Sequence, residues 1–253
     1  MDAITQQLGI LIIVTALVLT IVVTQFVRVR KNLVLLRAIP AFESLSSLVG
    51  LAIESNRPLH LSFGSSGLGG EATPLTLAGA ELFYQVARLA AIGDLSPIIT
   101  LSDSSTLPVG QDVLRRAYSS RNRLNRDLYT SVRWYPAGNR SLTFAAALTT
   151  LPHDDQISAN ILAGRFGTEI ALVLEAGARH DLPAVAVSDS LEGQAIAYAF
   201  ASEVLIGEEV FAAGTYLSDS SAQRGATITI DVLRWLLVAV LFGGLILALL
   251  NGA

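Results

Sequence analysis

The chain has 253 residues, of which 52% are hydrophobic and only 15% are charged, and its mean hydropathy is +0.55. Soluble domains carry about 25% charged residues, so this composition excludes a disordered chain and is unusual for a soluble enzyme. The net charge of −4 argues against nucleic-acid binding through overall basicity, and the absence of cysteine excludes disulfides, thiol chemistry and cysteine-bound metals.

An uncharged apolar segment lies near the N-terminus. Residues 8–27 read LGILIIVTALVLTIVVTQFV, and a helix of this length spans about 30 Å, the thickness of the hydrocarbon core of a bilayer. The segment lacks the basic start and small-residue cleavage site of a signal peptide. We therefore predict a retained transmembrane helix after an outer tail of residues 1–7; a buried core helix is the alternative.

A second apolar segment, residues 232–250, lies near the C-terminus and has the uncharged centre LLVAVLFGGLILALL. Arg234 can extend to the membrane interface, where Trp235 is placed as an aromatic anchor. Gly243 and Gly244 would let another helix approach closely. The segment is short for a span, and association with other helices relieves such a mismatch. The alternative is a C-terminal helix buried in an oligomer.

Basic residues flank these segments on one side only. Arg28, Arg30 and Lys31 lie in a linker of residues 28–40, whereas neither outer tail contains Lys or Arg. By the positive-inside rule, the region between the segments lies in the cytoplasm. We predict a two-pass protein of the cell's inner (plasma) membrane with a cytoplasmic central domain.

The central region alternates short apolar runs with helical patterns. The runs predict strands at residues 59–63, 98–101, 132–135, 161–163, 184–187 and, more weakly, 204–206. Helices are predicted at 41–54, 75–91, 107–119, 141–149, 168–178, 191–201 and 208–217. Because helix-length crossovers separate the strands, we predict an α/β fold over residues 41–227: a Rossmann-like, mostly parallel sheet with helices on both faces. Ile99, Leu162 and Val185 are expected in its core.

Small polar residues follow several predicted strands, at the edge where open α/β sheets bind ligands. A glycine-rich loop after the first strand could hold phosphate through its N–H groups, but its spacing is GxxGxGG and a Walker lysine is absent. Each candidate has a structural alternative as a tight turn, helix cap or surface ion pair. The candidate ligand residues are Gly64, Ser65, Ser66, Gly67, Asp103, Ser104, Gly164, Arg165, Asp189 and Ser190.

Recognisable catalytic patterns are missing. Residues 64–67 do not form the GxSxG nucleophile elbow, and His60, His153 and His180 lack metal-ligand spacing. We therefore expect His60 in a strand, the other two histidines in loops, and neither a metal nor a cofactor.

Arginines form the main charge cluster. They could contact anionic lipid headgroups, or complement a helix C-terminus and a solvated loop, which we favour. The cluster comprises Arg115, Arg116, Arg121, Arg123, Arg126, Arg133 and Arg140.

Several stretches resemble an uncharacterised bacterial family: LRAIPAFESL, RPLHLSFGSSGLGG, QDVLRRAY, FGTEIALVLEAGAR and LIGEEVFAAGTYL. Proteins of that family similarly have a Rossmann-like domain between two transmembrane helices. The resemblance covers residues 33–250 and implies this architecture. It implies no activity, because the family is one of unknown function.

Two functions are compatible with these features. The first is a non-enzymatic, membrane-anchored assembly or scaffold component, either homo-oligomeric or a subunit of a larger membrane complex, with the bilayer as a further partner. The second is a membrane-tethered sensor or degenerate enzyme that binds a nucleotide or another anion. We favour the first. Phe83, Tyr84, Phe211 and Tyr216 could contribute contacts between domains, although we expect Phe83 and Phe211 to pack on the sheet.

Overall fold

The computed structural model describes residues 3–29, 37–122, 130–218 and 221–251. The chain divides into two compact units: a terminal unit, Met1–Arg37 with Asp219–Ala253, and a central unit, Ala38–Ser218. The helices are α1 (Ala3–Val29), α2 (Pro40–Ser55), α3 (Thr73–Ala90), α4 (Leu107–Ser119), α5 (Leu142–Leu148), α6 (Leu151–Asp154), α7 (Ile170–Ala178), α8 (Leu191–Phe200), α9 (Ala213–Leu217) and α10 (Ser221–Asn251). The strands are β1 (His60–Gly64), β2 (Ile98–Leu101), β3 (Val132–Trp134), β4 (Asn160–Arg165), β5 (Ala184–Ser188) and β6 (Glu203–Val204).

The six strands form one parallel sheet in the order β3-β2-β1-β4-β5-β6. This is the strand order of Rossmann folds, in which the chain reverses its direction of winding between β1 and β4. The predicted α/β fold class is therefore confirmed, and all six predicted strand positions hold a strand.

Alternating side chains of the strands enter two cores, one on each face of the sheet. One core contains Ile99 and Val185 and is covered by α2, α3 and α4; the other contains Leu162 and is covered by α5, α7 and α8. These three side chains are at most 2% exposed, as predicted. Strands buried on both faces explain why the sequence shows short apolar runs instead of alternation.

Some elements differ from the predictions. The predicted helix at 208–217 is a 3₁₀ segment, Gly207–Ala212, followed by the single turn α9. His153 lies in the short helix α6 and not in a loop. Phe83 is buried, but Phe211 is 50% exposed, so the expectation that Phe211 packs on the sheet is wrong.

The terminal unit contains two helices that are long and apolar enough to cross a membrane. The helix α10 begins at Ser221, well before the predicted start at residue 232. It therefore has 31 residues, and α1 has 27. At 1.5 Å per residue α10 and α1 are about 46 and 40 Å long, longer than the hydrocarbon core of a bilayer.

Small residues line the contact between these two helices. A Cβ at Gly225 would overlap Thr24, so the C-terminal part of α1 lies against the N-terminal part of α10. On α1, Ala16, Thr20 and Thr24 recur every four residues and are partly buried. On α10, Thr229 follows Gly225 by one turn and is 3% exposed. Small residues at this spacing let two helix backbones approach closely in lipid.

Candidate functional site

The predicted ligand loops meet at the carboxyl ends of β1, β4 and β5, where winding reverses. Here β1 and β4 lie so close that a Cβ at Gly164 would overlap the Phe63 carbonyl oxygen. Gly64 has a φ of +61°, and a Cβ there would overlap the Arg165 carbonyl oxygen. Both positions therefore require glycine for steric reasons. The chain after β1 and the chain after β4 are in direct contact there.

The glycine-rich loop after β1 uses its N–H groups internally. The N–H of Leu68 donates to Ser105 Oγ at 2.9 Å. Those of Gly69 and Gly70 donate to Thr73 Oγ1 at 2.9 and 3.1 Å. A phosphate-binding loop must instead direct such groups at the ligand. Thr73 therefore acts by ordering this loop.

The two serines of this loop are also engaged. Ser65 Oγ donates to the Arg165 carbonyl at 3.0 Å. Ser66 is fully buried, and its Oγ accepts the Arg165 N–H at 2.6 Å. The carbonyl oxygen of Ser66 accepts a hydrogen bond from Thr106 Oγ1 at 2.7 Å. These bonds connect the loops after β1, β2 and β4.

The polar residues after β2 form a helix cap. Asp103 Oδ1 accepts the Ser105 N–H at 2.8 Å and caps the 3₁₀ turn that begins at Ser104. A Cβ at Gly67 would overlap the Asp103 carboxylate, so this carboxylate packs directly on the glycine-rich loop.

The residues after β4 and β5 form an ion pair and a second cap. Arg165 Nε and Nη2 lie 2.9 and 2.8 Å from Asp189 Oδ2. The Asp189 carboxylate raises the pKa of Arg165. Ser190 caps α8, accepting the Gly193 N–H at 3.5 Å. Arg165 and Asp189 thus form a surface ion pair, and Ser190 forms a helix cap, which are the structural alternatives to ligand binding.

An open crevice of about 710 Å³ lies beside these loops. It brings together Ser65, Arg165 and Ser190 from three of the predicted ligand loops. Arg140 also lines it, is exposed, and forms no ion pair with any residue in the described ranges. Two acids, Glu169 and Glu192, balance the two arginines. The lining is Ser65, Arg140, Ser141, Arg165, Gly167, Thr168, Glu169, Ser190 and Glu192.

A buried polar chain crosses the centre of the sheet. His60 is fully buried in β1; its Nδ1 lies 2.7 Å from Asn160 Oδ1, and its Nε2 lies 2.8 Å from Thr100 Oγ1. Thr100 and Ser62 hydroxyls are 2.9 Å apart. Burial lowers the pKa of His60 to about 4, despite the hydrogen bond to Asn160. A neutral ring with one donor and one acceptor fits this chain, so His60 has a structural role here.

His153 and three arginines of the cluster, Arg115, Arg116 and Arg133, lie beside carboxylates within the central unit. His153 Nδ1 lies 3.0 Å from Asp154 Oδ1, and Asp155 forms a two-point ion pair with Arg133 at 2.6 and 2.7 Å. Asp112 pairs with both Arg115 and Arg116. Arg123 and Arg126 lie outside the described residues.

The predicted membrane-association residues differ in their surroundings. Gly243 has open space around its Cα, in contrast to Gly225. Trp235 is 72% exposed, and Arg234 lies 3.8 Å from Asp231. Gly244 lies within α10 and Arg28 within α1, while Arg30 and Lys31 lie outside the described residues.

Residues 3–253 match the family model described as "Domain of unknown function (DUF6754)". The chain belongs to the DUF6754 family. No curated protein and no solved structure matches it significantly. Membership of DUF6754 agrees with the resemblance to an uncharacterised family and assigns no activity.

Sequence reasoning missed two features of this DUF6754 chain. Arg140 was grouped with the arginine cluster, although it lines the crevice together with Arg165. The long crossover from β3 to β4 brings it there, and the strand order that creates this crossover has no signal in the sequence. Gly225 was also missed, although its four-residue spacing to Thr229 is a readable small-residue pattern.

Proposed function

We propose that the protein is a non-enzymatic, membrane-anchored assembly component. In this proposal α1 and α10 cross the bilayer, and the central unit binds neighbouring proteins. The observation that carries it is the set of large apolar side chains that α8 exposes. There Leu191 is 88%, Tyr198 73% and Phe200 62% exposed.

The exposure of α8 follows from how the helix packs. Its buried residues are the small ones, Gly193 and Ala197. A Cβ at Gly193 would overlap the Phe166 carbonyl oxygen, so the helix lies directly on the chain after β4. The large apolar side chains therefore point away from the core. Leu191 and Tyr198 are seven residues apart and therefore lie on the same side of the helix. Exposed apolar surface is typical of interaction sites, and tyrosine is enriched among the residues that dominate protein interfaces.

The internal bonding of the glycine-rich loop also favours assembly over nucleotide chemistry. The N–H groups that would hold phosphate are bonded to Ser105 and Thr73. Arg165 is paired with Asp189. Binding an anion there would require these bonds to be exchanged, which reduces the net gain.

Association is tested by native mass spectrometry of the full-length protein in nanodiscs. We expect the wild type to form a homo-oligomer or to retain a partner. Leu191→Glu with Tyr198→Glu should weaken association at least about 30-fold, the effect of losing one interface hot spot of about 2 kcal/mol. Leu77→Glu is the matched control, because Leu77 is an exposed leucine (56%) on α3. A wild type that is monomeric at all concentrations, with no retained partner, would refute the assembly function.

Sidedness is part of the proposal. Arg28 lies near the end of α1, Arg30 and Lys31 follow it in sequence, and Arg224 and Arg234 lie on α10. This distribution supports a cytoplasmic central unit by the positive-inside rule. Protease added to intact cells should leave the central unit uncut, whereas inverted vesicles should lose it. Cleavage in intact cells would reverse the orientation.

The crevice supports a second candidate function, sensing of a small anion. Its position at the β1–β4 reversal is where Rossmann folds bind nucleotides, and Arg140 contributes a charge without an ion pair in the described ranges. Calorimetry with ADP and with inorganic phosphate tests it. Saturable binding lost in Arg140→Gln would support sensing, whereas absence of binding to wild type at millimolar concentrations would contradict it.

A further inference from the structure

A buried carboxylate, that of Glu169, forms part of the wall of the crevice. Glu169 directly precedes α7, is only 5% exposed, and lines the crevice. Its Oε1 accepts the N–H of Gly167 at 2.8 Å. Its Oε2 has no hydrogen-bond partner among the described residues and is not sealed inside the protein. No basic residue of the described ranges pairs with this carboxylate. A buried charge without a partner is costly, so Glu169 favours a cationic group that enters from the crevice.

The opposite charge, that of Arg140, lies on the wall of the same crevice. Arg140 is exposed and forms no ion pair with any residue that the structure describes. Its backbone is left-handed, with a φ of +49° and a ψ of +36°, and the next residue, Ser141, has a φ of +53°. This conformation is unfavourable for side chains such as these, and it occurs preferentially where function requires it. The strained segment thus presents a guanidinium group to the crevice.

The remaining charges of the crevice have both signs. Arg165 is neutralised by Asp189. Of the other charged residues on the wall, Arg140 is basic, whereas Glu169 and Glu192 are acidic. A ligand with only negative charge would be repelled by the two glutamates, and a ligand with only positive charge would be repelled by the guanidinium group. A ligand that carries both signs is attracted to both sides of the crevice.

We propose that the crevice binds a small zwitterion, with a carboxylate group at Arg140 and an ammonium group at Glu169. The proposal rests on the second candidate function, a ligand-binding crevice, and names the class of ligand. A guanidinium group donates to a carboxylate in a planar fork, and an ammonium group donates to a carboxylate oxygen such as Oε2. The crevice volume of about 710 Å³ lies in the range of small-molecule sites. Neither contact breaks an existing ion pair, in contrast to anion binding at Arg165.

Saturation-transfer NMR on the full-length protein in nanodiscs tests this ligand class, with empty nanodiscs as the blank. The probes are glycine, 4-aminobutyrate and 6-aminohexanoate, which separate the two charges by increasing lengths. Butyrate and butylamine are the matched probes that carry one charge each. We expect at least one of the zwitterions to bind saturably, and at least tenfold more tightly than butyrate or butylamine. Tenfold corresponds to about 1.4 kcal/mol, close to the lower limit for one hydrogen bond to a charged group.

Two neutral variants assign the contacts. Arg140→Gln and Glu169→Gln should each weaken binding of the zwitterion at least tenfold. Glu169→Gln keeps an oxygen that can accept the Gly167 N–H, so the loop should stay ordered and butyrate should bind no more weakly than to wild type. A purely structural role of Glu169 would instead weaken binding of all probes equally. The matched controls are Arg179→Gln and Glu175→Gln, which alter an exposed ion pair at the other end of α7 and should leave binding unchanged.

Equal affinity for the zwitterions and for butyrate would overturn the proposal, because the ammonium group would then contribute nothing. Binding that requires Mg²⁺ would also overturn it, since a metal ion at the glutamates would then hold the anion. If inorganic phosphate or ADP binds and no zwitterion does, the ligand class is wrong and sensing of an anion stands. If no probe binds at millimolar concentrations, the proposal and the second candidate function both fail, and the assembly function is unaffected.

Discussion

Acidification should destabilise the central unit through His60. The pKa of this buried imidazole is lowered from 6.5 to about 4, because burial penalises the charged ring. Between these values the unfolded chain binds a proton at His60 and the folded chain does not. The stabilisation is therefore complete above pH 6.5 and is lost as the pH falls towards 4. A difference of 2.5 units at 1.36 kcal/mol per unit amounts to about 3 kcal/mol.

Urea unfolding at a series of pH values measures this loss. Trp134 lies in β3 and its indole N–H donates to the Ser102 carbonyl at 2.9 Å, so its fluorescence reports the sheet. The second tryptophan, Trp235, is removed by Trp235→Phe. His60→Gln, which does not titrate, should remove most of the change in unfolding free energy between pH 6.5 and 4. His153→Gln is the matched control at an exposed histidine (84% side-chain exposure) and should retain it. Equal pH dependence in wild type and His60→Gln would refute the reasoning.

Three further predictions concern packing. Val185→Asp should lower the free energy of unfolding by more than about 3 kcal/mol, because it buries an unpaired charge. The control Leu172→Asp, at a 40% exposed site, should not have this effect. Similar urea midpoints for the two variants would contradict the position of β5. Gly64→Ala should cost about 2 kcal/mol or more through positive φ and overlap with the Arg165 carbonyl, while Gly70→Ala, with open space, should change the urea midpoint little. Thr24→Cys with Gly225→Cys should form an intramolecular disulfide on oxidation of this cysteine-free chain, which a gel shift detects. The control pair Thr24→Cys with Gly243→Cys should not cross-link. Equal cross-linking of the two pairs would show that the α1–α10 contact is wrong.

The sequence alone was sufficient for the class of fold and for the positions of most elements. Short, mostly apolar runs mark β2 and β5, which have four and five residues, because both faces of these strands are buried. The helix α4 begins at Leu107, the residue at which it was predicted to begin, and Pro108 favours a helix start at this position. Residues 8–27 lie entirely within α1. Each of these features is local, so a short window of residues determines it.

The tertiary structure decided which loops meet and what their polar groups do. Asp103 and Asp189 follow similar strands in similar sequence, yet the first caps a turn and the second pairs with Arg165. The difference arises because β5 lies beside β4, whereas β2 lies beside β1. Likewise, the loop after β1 is a candidate phosphate-binding loop in the sequence. In the structure its N–H groups are bonded to the nearby Thr73 and to Ser105, which the loop after β2 brings there. Strand order is set by crossover packing between distant segments, so the sequence determined these polar residues, but only the tertiary structure brought Arg140 and Arg165 to one crevice.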